Sequence, residues 1–267
     1  DLERIQEERG RSAAILGYPD AATAEVGIAQ HAAFRFASPD ELKAVAEAQV
    51  RRSWEVAPAW FGRVPSANCE VRLVEAFREA DMPFAFYNQP TEDGSRPGVY
   101  YVNGFDLDRK PKHQLASTTY HEANPGHHFQ VALEQEMDGR PAIRRFGGFL
   151  AGSAFTEGWG LYSERLADEM GLYEDESERL GMLDLQGMRA ARLVVDTGIH
   201  ALGWTRERAI ATLEDAGLPT VEATIETDRY ITMPGQALSY KIGQFEIERQ
   251  RTAAAEREGA EFSLRAF

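Results

Sequence analysis

The sequence has a single cysteine, Cys69, among its 267 residues. One cysteine cannot form a disulfide within the chain, and it excludes a zinc site built mainly from thiolate ligands. Any metal centre in this chain must therefore use histidine and carboxylate side chains. The sequence also lacks an uninterrupted apolar stretch of the roughly 20 residues that a membrane-spanning helix needs, so we expect no transmembrane segment.

Basic residues are in the minority, because 29 Lys and Arg stand against 43 Asp and Glu and give a formal net charge of -14. Such a charge repels nucleic acids and anionic membrane surfaces unless a local basic patch overrides it, and the sequence shows no such patch. We therefore expect neither a nucleic-acid partner nor a membrane partner. The hydrophobic content of 43% is ordinary for a globular protein.

Both ends of the sequence look like cuts within a longer chain. Residues 1–9 have the pattern of an amphipathic helix already under way, without a start methionine and signal peptide. Residues 262–267 stop without a closing signal. We interpret residues 1–267 as one region of a longer protein. A cytoplasmic location is expected, with the reservation that an export signal could lie in the missing part.

Helical periodicity is the commonest pattern and predicts a mainly α fold. A helix is expected to begin at Pro39 and to be stopped by Pro58. Short aromatic and β-branched runs at 69–73, 84–88 and 99–103 predict a small sheet or hairpin. The remaining predicted helices cover 112–136 with a break at Pro125, 153–170, 175–202, 205–216, 220–231 and 235–257.

The main chemical signal is an eight-residue segment that begins at His121 and holds three of the six histidines beside Glu122. Zinc proteases commonly place two histidines four residues apart on a helix, with a glutamate after the first. Here the fourth position after His121 is Pro125, so a regular helix would not bring His121 and His127 together. Pro125 removes a helical hydrogen bond and Gly126 loosens the backbone. We therefore expect a kink or irregular turn that brings the imidazole of His127 back towards that of His121.

A catalytic zinc usually takes three protein ligands and keeps one position for water. The third ligand is sought on the next helix, where Glu157 and Glu164 are seven residues apart and share a face. A carboxylate among large apolar residues must be paired or bind a cation, because an isolated buried charge is costly. Glu157 is therefore predicted as a ligand and Glu164 as the group behind it that orients a histidine.

Glu122 is predicted to be the general base. Zinc lowers the pKa of its bound water to about 7, and a neighbouring carboxylate can take the proton and later deliver it to the leaving amine. Tyr240 could donate a hydrogen bond to the tetrahedral intermediate, with simple packing as the alternative.

Further polar side chains could line a cleft beside the metal. Arg192, Asp196 and His200 form a stripe along one helix, in which His200 could stabilise an oxyanion and Asp196 could support the site. A salt-bridged surface stripe is the alternative. Arg229 and Lys241 are candidates for binding a substrate carboxylate.

The strand at 99–103 could align an extended peptide by edge pairing, or it could be a plain structural hairpin.

Four segments of the sequence, 121–128, 157–164, 196–200 and 234–243, resemble in matching order the bacterial family called domain of unknown function 885. Members are typically about twice this length, so the resemblance implies that the chain is a C-terminal half lacking an N-terminal helical half. The family is regarded as zinc-peptidase-like, which implies a multi-helix metallopeptidase fold and hydrolysis of short peptides. Spacing alone leaves His127 and His128 both open as ligands. In the family pattern the first of these two positions is regularly histidine and the second varies. This favours His127 as the metal ligand and gives His128 a supporting role behind the ligands.

The leading hypothesis is a catalytic region that cleaves peptide bonds of short peptides with Zn2+ held by His121, His127 and Glu157. One alternative is a catalytically inactive helical scaffold or peptide-binding protein derived from such an enzyme. Others are a metal-dependent hydrolase of non-peptide amides and a metal-dependent oxygenase. Glu122 directly after a ligand disfavours the oxygenase, because that placement suits proton transfer to and from water.

Overall fold

The computed structural model describes residues 1–137, 139–146 and 152–267. Within these ranges the fold is mainly helical with one small sheet, which confirms the predicted mixture. The described α-helices are α1 (Leu2–Ile15), α2 (Ala21–Gln30), α3 (Pro39–Trp60), α4 (Leu115–Glu122), α5 (His127–Glu136), α6 (Ala142–Phe146), α7 (Ala154–Glu169), α8 (Glu176–Leu202), α9 (Arg206–Asp215), α10 (Thr220–Thr232) and α11 (Ser239–Glu258).

Helix α3 begins where the sequence predicts but ends later. Pro39 stands in its first turn, and the Ser38 hydroxyl accepts a hydrogen bond from the amide of the third residue of the helix. The prediction that Pro58 stops this helix was wrong, because α3 continues to Trp60. Pro58 lies in the last turn, and the helix still closes with a hydrogen bond of 2.9 Å from the amide of Phe61 to the carbonyl of residue 57.

The sheet contains three strands, β1 (Cys69–Leu73), β2 (Ala85–Asn88) and β3 (Gly98–Val102), in the order β1-β3-β2. The predicted hairpin of β2 and β3 is present, and β1 pairs with β3 in parallel. Every residue of β3 is buried. Both edges of β3 are already paired, so the hypothesis that residues 99–103 align a peptide by edge pairing was wrong.

Helix α4 lies against α3, α7 and α8, and α7 in turn packs along α11. Tyr120 fixes α4 in this packing: its buried hydroxyl donates to the carbonyl of Leu172 at 2.9 Å and accepts from Arg52 at 2.8 Å. Helices α7 and α11 meet at Gly158 and Gly243, where a Cβ on either residue would clash with the backbone of the other helix. This contact brings α11 close enough to reach the end of α4.

None of the described helices combines the length and the apolar character that crossing a bilayer requires.

Candidate metal centre

The predicted break at Pro125 separates α4 from α5 and places two histidines together. Helix α4 ends one residue after His121, and α5 begins at His127. The turn between them contains a cis peptide bond between Asn124 and Pro125. Gly126 presses against the end of α4, where a Cβ would clash with the carbonyl of His121. The ring centroids of His121 and His127 are 4.7 Å apart, as the convergence predicted from the sequence requires.

Side chains from two other helices hold this turn in place. The indole nitrogen of Trp159 in α7 donates to the carbonyl of Pro125 at 2.8 Å. The amide nitrogen of Asn124, which is fully buried, donates to the hydroxyl of Ser53 in α3 at 3.1 Å. The turn is therefore fixed by the packing of α3 and α7 around it.

Glu157 completes the cluster from the first turn of α7. Its Oε2 lies 3.4 Å from Nε2 of His121 and 3.4 Å from Nε2 of His127. Burial raises the pKa of Glu157, but the two imidazoles outweigh it and hold that pKa well below its usual range. All three predicted ligand side chains thus point at one place.

The spacing and chemistry of these atoms fit a zinc ion. Bonds of about 2.0 to 2.1 Å in a tetrahedral site place neighbouring ligand atoms about 3.4 Å apart. Both distances from the carboxylate of Glu157 to the imidazoles are 3.4 Å. Two imidazole nitrogens and one carboxylate oxygen are also a ligand set that zinc takes in hydrolases. The donors present can therefore hold the ion.

Glu122 borders the same place from the end of α4. Ligand atoms of His121, Glu122 and His127 all lie within 4.8 Å of one another, and Glu122 is partly exposed. Two carboxylates therefore approach the pair of imidazoles, Glu157 from α7 and Glu122 from α4. Oε2 of Glu157 lies at the same distance, 3.4 Å, from both imidazoles.

Behind the cluster, Glu164 orients His121. Its Oε1 accepts a hydrogen bond of 2.7 Å from Nδ1 of His121. Because a carboxylate only accepts, Nδ1 of His121 carries a proton, which leaves Nε2, the nitrogen that faces Glu157, as the one that could bind a metal. Burial raises the pKa of Glu164, but the bond from His121 and the charge of Arg189 together outweigh it, and the pKa is lowered. This is the contact that the sequence analysis predicts for Glu164.

A chain of buried polar groups continues from Glu164 to Lys241. Gln186 donates to Glu164 at 3.1 Å and accepts from the ammonium of Lys241 at 2.9 Å. Lys241 also donates to Gln244 at 2.9 Å and lies 3.0 Å from a carboxylate oxygen of Asp1. Lys241 is fully buried and these three contacts use its three donors, which argues against its predicted role in substrate binding.

His128 points away from the cluster. Its Nε2 donates to the carbonyl of Ala67 and its Nδ1 accepts from the hydroxyl of Tyr87, both at 2.9 Å. Its ring is fully buried, and burial lowers the pKa of His128 to about 4. Both nitrogens are thus occupied in holding α5 against β2 and the segment before β1. Of the two candidate histidines, the structure brings His127 to Glu157, and His128 supports the fold instead of the ligands.

The polar stripe predicted on α8 (Arg192, Asp196 and His200) mainly contacts α10 and the turn after it. The buried carboxylate of Asp196 accepts from the backbone amide of Gly235 at 3.1 and 3.2 Å. His200 is exposed, and its Nε2 donates to the carbonyl of Tyr230 at 2.9 Å. These contacts bring neither Asp196 nor His200 to the metal ligands, so the predicted oxyanion role of His200 has no geometric support.

Arg192 and Arg229 share one carboxylate partner. Nη2 of each lies 2.8 Å from Oε2 of Glu226, and Nε of Arg192 donates to the hydroxyl of Tyr230 at 2.9 Å. Arg229 also donates to the amide oxygen of Gln236 at 2.5 Å. The donors of Arg229 are therefore occupied within the protein, which argues against its predicted role in binding a substrate carboxylate.

Tyr240, in the first turn of α11, lies beside the ring of His121. Its ring stacks on that of His121 with centroids 6.2 Å apart and an interplanar angle of 29°. Burial, and then the charge of Glu157, raise the pKa of Tyr240, so the phenol keeps its proton. The guanidinium of Arg192 lies 4.8 Å from the centre of the same ring.

Sequence reasoning missed two residues at this place. A Cβ on Gly160 would lie 2.7 Å from the ring of His121, so the imidazole needs the space that glycine leaves. Arg189 has its guanidinium 5.8 Å from the centre of the Tyr240 ring. Both have helical spacing from residues already identified: Gly160 is three positions after Glu157, and Arg189 is three positions before the polar stripe of α8.

The fold and the site define a helical protein in which two buried histidines, His121 and His127, lie beside the partly exposed carboxylates of Glu122 and Glu157, a set of groups that could hold a metal ion. This chain belongs to the family described as "Bacterial protein of unknown function (DUF885)", whose model matches residues 1–267. No functionally curated protein matches the chain.

Among solved structures that match this chain, two are similar over almost its whole length. One is described as "the putative lipoprotein from Colwellia psychrerythraea", with 35% sequence identity, a TM-score of 0.93, and coverage of 99% of this chain and 46% of that one. The other is described as "a putative lipoprotein of unknown function from Shewanella oneidensis", with 22% identity, a TM-score of 0.80, and coverage of 99% and 50%. The chain thus spans about half the length of each.

Proposed function

We propose that this chain carries the metal centre of a zinc-dependent peptidase, in which His121, His127 and Glu157 bind the ion. The observation that carries the proposal is the pair of 3.4 Å distances from one oxygen of Glu157 to the two imidazoles, which equals the spacing of ligands in a tetrahedral zinc site. A bound zinc ion supplies a polarised water molecule of lowered pKa.

The neighbouring side chains suit hydrolysis of an amide. Glu122 accepts the proton of the attacking water and returns it to the leaving nitrogen as the carbon–nitrogen bond breaks. Tyr240 keeps its phenolic proton and donates a hydrogen bond to the oxygen on which negative charge develops. Glu164 holds the imidazole of His121 in the tautomer that binds a metal. Short peptides are the proposed substrates, as the family resemblance implies.

Elemental analysis and peptide hydrolysis together test this proposal. The purified protein is expected to contain about one zinc per chain and to cleave members of a short-peptide library. Glu122→Gln is expected to keep the zinc and to lower the rate by at least about a hundredfold, since general acid–base catalysis contributes that much. Glu256→Gln, at an exposed position of α11, is the matched control. Zinc-free protein, or unchanged hydrolysis by Glu122→Gln, contradicts the proposal.

For the longer protein, the description of two relatives as lipoproteins favours the cell envelope over the cytoplasmic location predicted from the sequence. Fractionation of cells that produce the longer protein tests this part of the proposal. Recovery in the cytoplasmic fraction contradicts it.

A further inference from the structure

Arg189 differs from Arg192, which also lies over the Tyr240 ring, and from Arg229, which lies over the Tyr230 ring, in what its guanidinium contacts. Arg192 and Arg229 both pair with Glu226. Across the described residues Arg189 forms no ion pair, and its one hydrogen bond is long, 3.5 Å from Nη1 to the carbonyl of Leu185. Its Nε is buried without a hydrogen-bond partner. The buried carboxylate of Glu164 is within electrostatic reach of Arg189, but it is hydrogen-bonded to His121 and Gln186 and forms no ion pair with Arg189. A partly buried cation with unused donors is costly unless an anion binds to them.

The position of Arg189 relates this cation to the metal centre. Its Cζ lies 5.8 Å from the centre of the Tyr240 ring, and that ring lies 6.2 Å from the ring of His121. The guanidinium is therefore no more than about 12 Å from the His121 imidazole. Since one extended residue spans roughly 3.3 to 3.6 Å, a peptide bound at the metal can reach Arg189 with a group one to three residues away.

We propose that Arg189 binds a carboxylate of the substrate and so selects peptides that carry a negative charge close to the scissile bond. This inference rests on the proposed peptidase function and names its substrate class. A guanidinium binds a carboxylate through two parallel hydrogen bonds, and the unused donors of Arg189 provide them. The carboxylate can be the C-terminal one, which makes the enzyme trim peptides from that end, or an acidic side chain near the cut.

Calorimetric binding of three peptides to zinc-loaded Glu122→Gln protein tests the proposal without requiring turnover. The peptides are trialanine, trialanine amide, and the amide of Ala-Ala-Asp. At least one carboxylate peptide is expected to bind about tenfold or more tightly than trialanine amide, as expected for a charge-assisted pair. A preference for trialanine identifies the terminal carboxylate, and a preference for the aspartate peptide identifies a side chain.

Substitutions then assign the preference to this side chain. Arg189→Gln is expected to remove it, and Arg189→Lys is expected to restore part of it through charge without the two parallel bonds. Arg249→Gln is the matched control, because Arg249 is exposed on α11 and paired with Glu246. Zinc content and circular dichroism establish that each variant is folded.

Three results would overturn the inference: equal affinity for all three peptides, no binding of any, or a preference that survives Arg189→Gln. Hydrolysis by the unsubstituted protein is measured separately. Absence of hydrolysis with an intact Arg189-dependent preference contradicts the peptidase proposal alone, so the two failures are distinguishable.

Discussion

Glu164 and His121 form a hydrogen bond of 2.7 Å between Oε1 and Nδ1, and neither side chain is more than about one-twentieth exposed. A carboxylate behind a ligating histidine fixes the ring and makes its other nitrogen a better donor to a metal. The pair therefore links the interior of α7 to the proposed metal centre.

Replacing Glu164 should weaken zinc binding. Glu164→Gln keeps the size of the side chain but removes the charge that favours a proton on Nδ1, so zinc affinity is expected to fall about 10- to 100-fold. Competition with a chromophoric chelator measures the affinity. Glu169→Gln on the same helix is the control, since its carboxylate is 43% exposed and pairs with Arg251. Equal affinity of the two variants would show that Glu164 does not support the metal.

The parts of the site that could be predicted from the sequence depend on residues that are close to one another along the chain. The break at Pro125 follows from the missing amide of proline, and its effect on His121 and His127 is local. Glu157 and Glu164 could be found because two carboxylates among apolar residues on one helix need partners. The helices of residues 153–257 follow from periodicity, although the last begins at Ser239, after a short 3-10 turn, and not at residue 235.

Long-range contacts explain the predictions that the structure does not support. The burial of Lys241 depends on Gln186, which lies 55 positions away on another helix. The direction of His128 depends on Tyr87 in a strand, and the pairing of Arg229 depends on Gln236 beyond a turn. Periodicity assigns a residue to a face but does not say which side chain of another element meets it.

Gly160 gives a second test of the metal centre. In Gly160→Ala the new Cβ would lie 2.7 Å from the His121 ring, so the imidazole must move and zinc affinity is expected to fall by about tenfold or more. Alanine is the better helix former by about 1 kcal/mol, so a weakened helix cannot cause this loss. Gly10→Ala in α1 is the control, because its Cβ has open space. Unchanged zinc affinity in Gly160→Ala would mean that the ring position is not needed.

Lys241 should contribute to stability and not to substrate binding. Lys241→Met leaves the carboxamide oxygens of Gln186 and Gln244 without their donor, so the free energy of unfolding is expected to fall by about 1 to 3 kcal/mol. The KM of peptide hydrolysis should not change. Lys43→Met, at a side chain 39% exposed on α3, is the control for both measurements. A raised KM at unchanged stability would instead support the substrate-binding role predicted from the sequence.

Glu226 should make stability depend on pH in the acid range. Burial raises its pKa, but the charges of Arg192 and Arg229 outweigh this and lower the pKa of Glu226 from 4.5 to about 2. Because the folded-state pKa is below the unfolded one, its contribution is fully present above pH 4.5 and is lost as the pH falls towards 2. A pKa difference of this size corresponds to about 3 kcal/mol.

The measurement compares urea unfolding of Glu226→Gln and the unsubstituted protein at pH 6 and at pH 3. The substitution leaves Arg192 without its carboxylate partner, so we expect a large loss of stability at pH 6. We expect a smaller loss at pH 3, because there the ionised Glu226 of the unsubstituted protein contributes less to stability. Glu207→Gln, at an exposed position of α9, should show no such difference. A loss of stability that is the same at both pH values would mean that Arg192 and Arg229 do not hold Glu226 ionised.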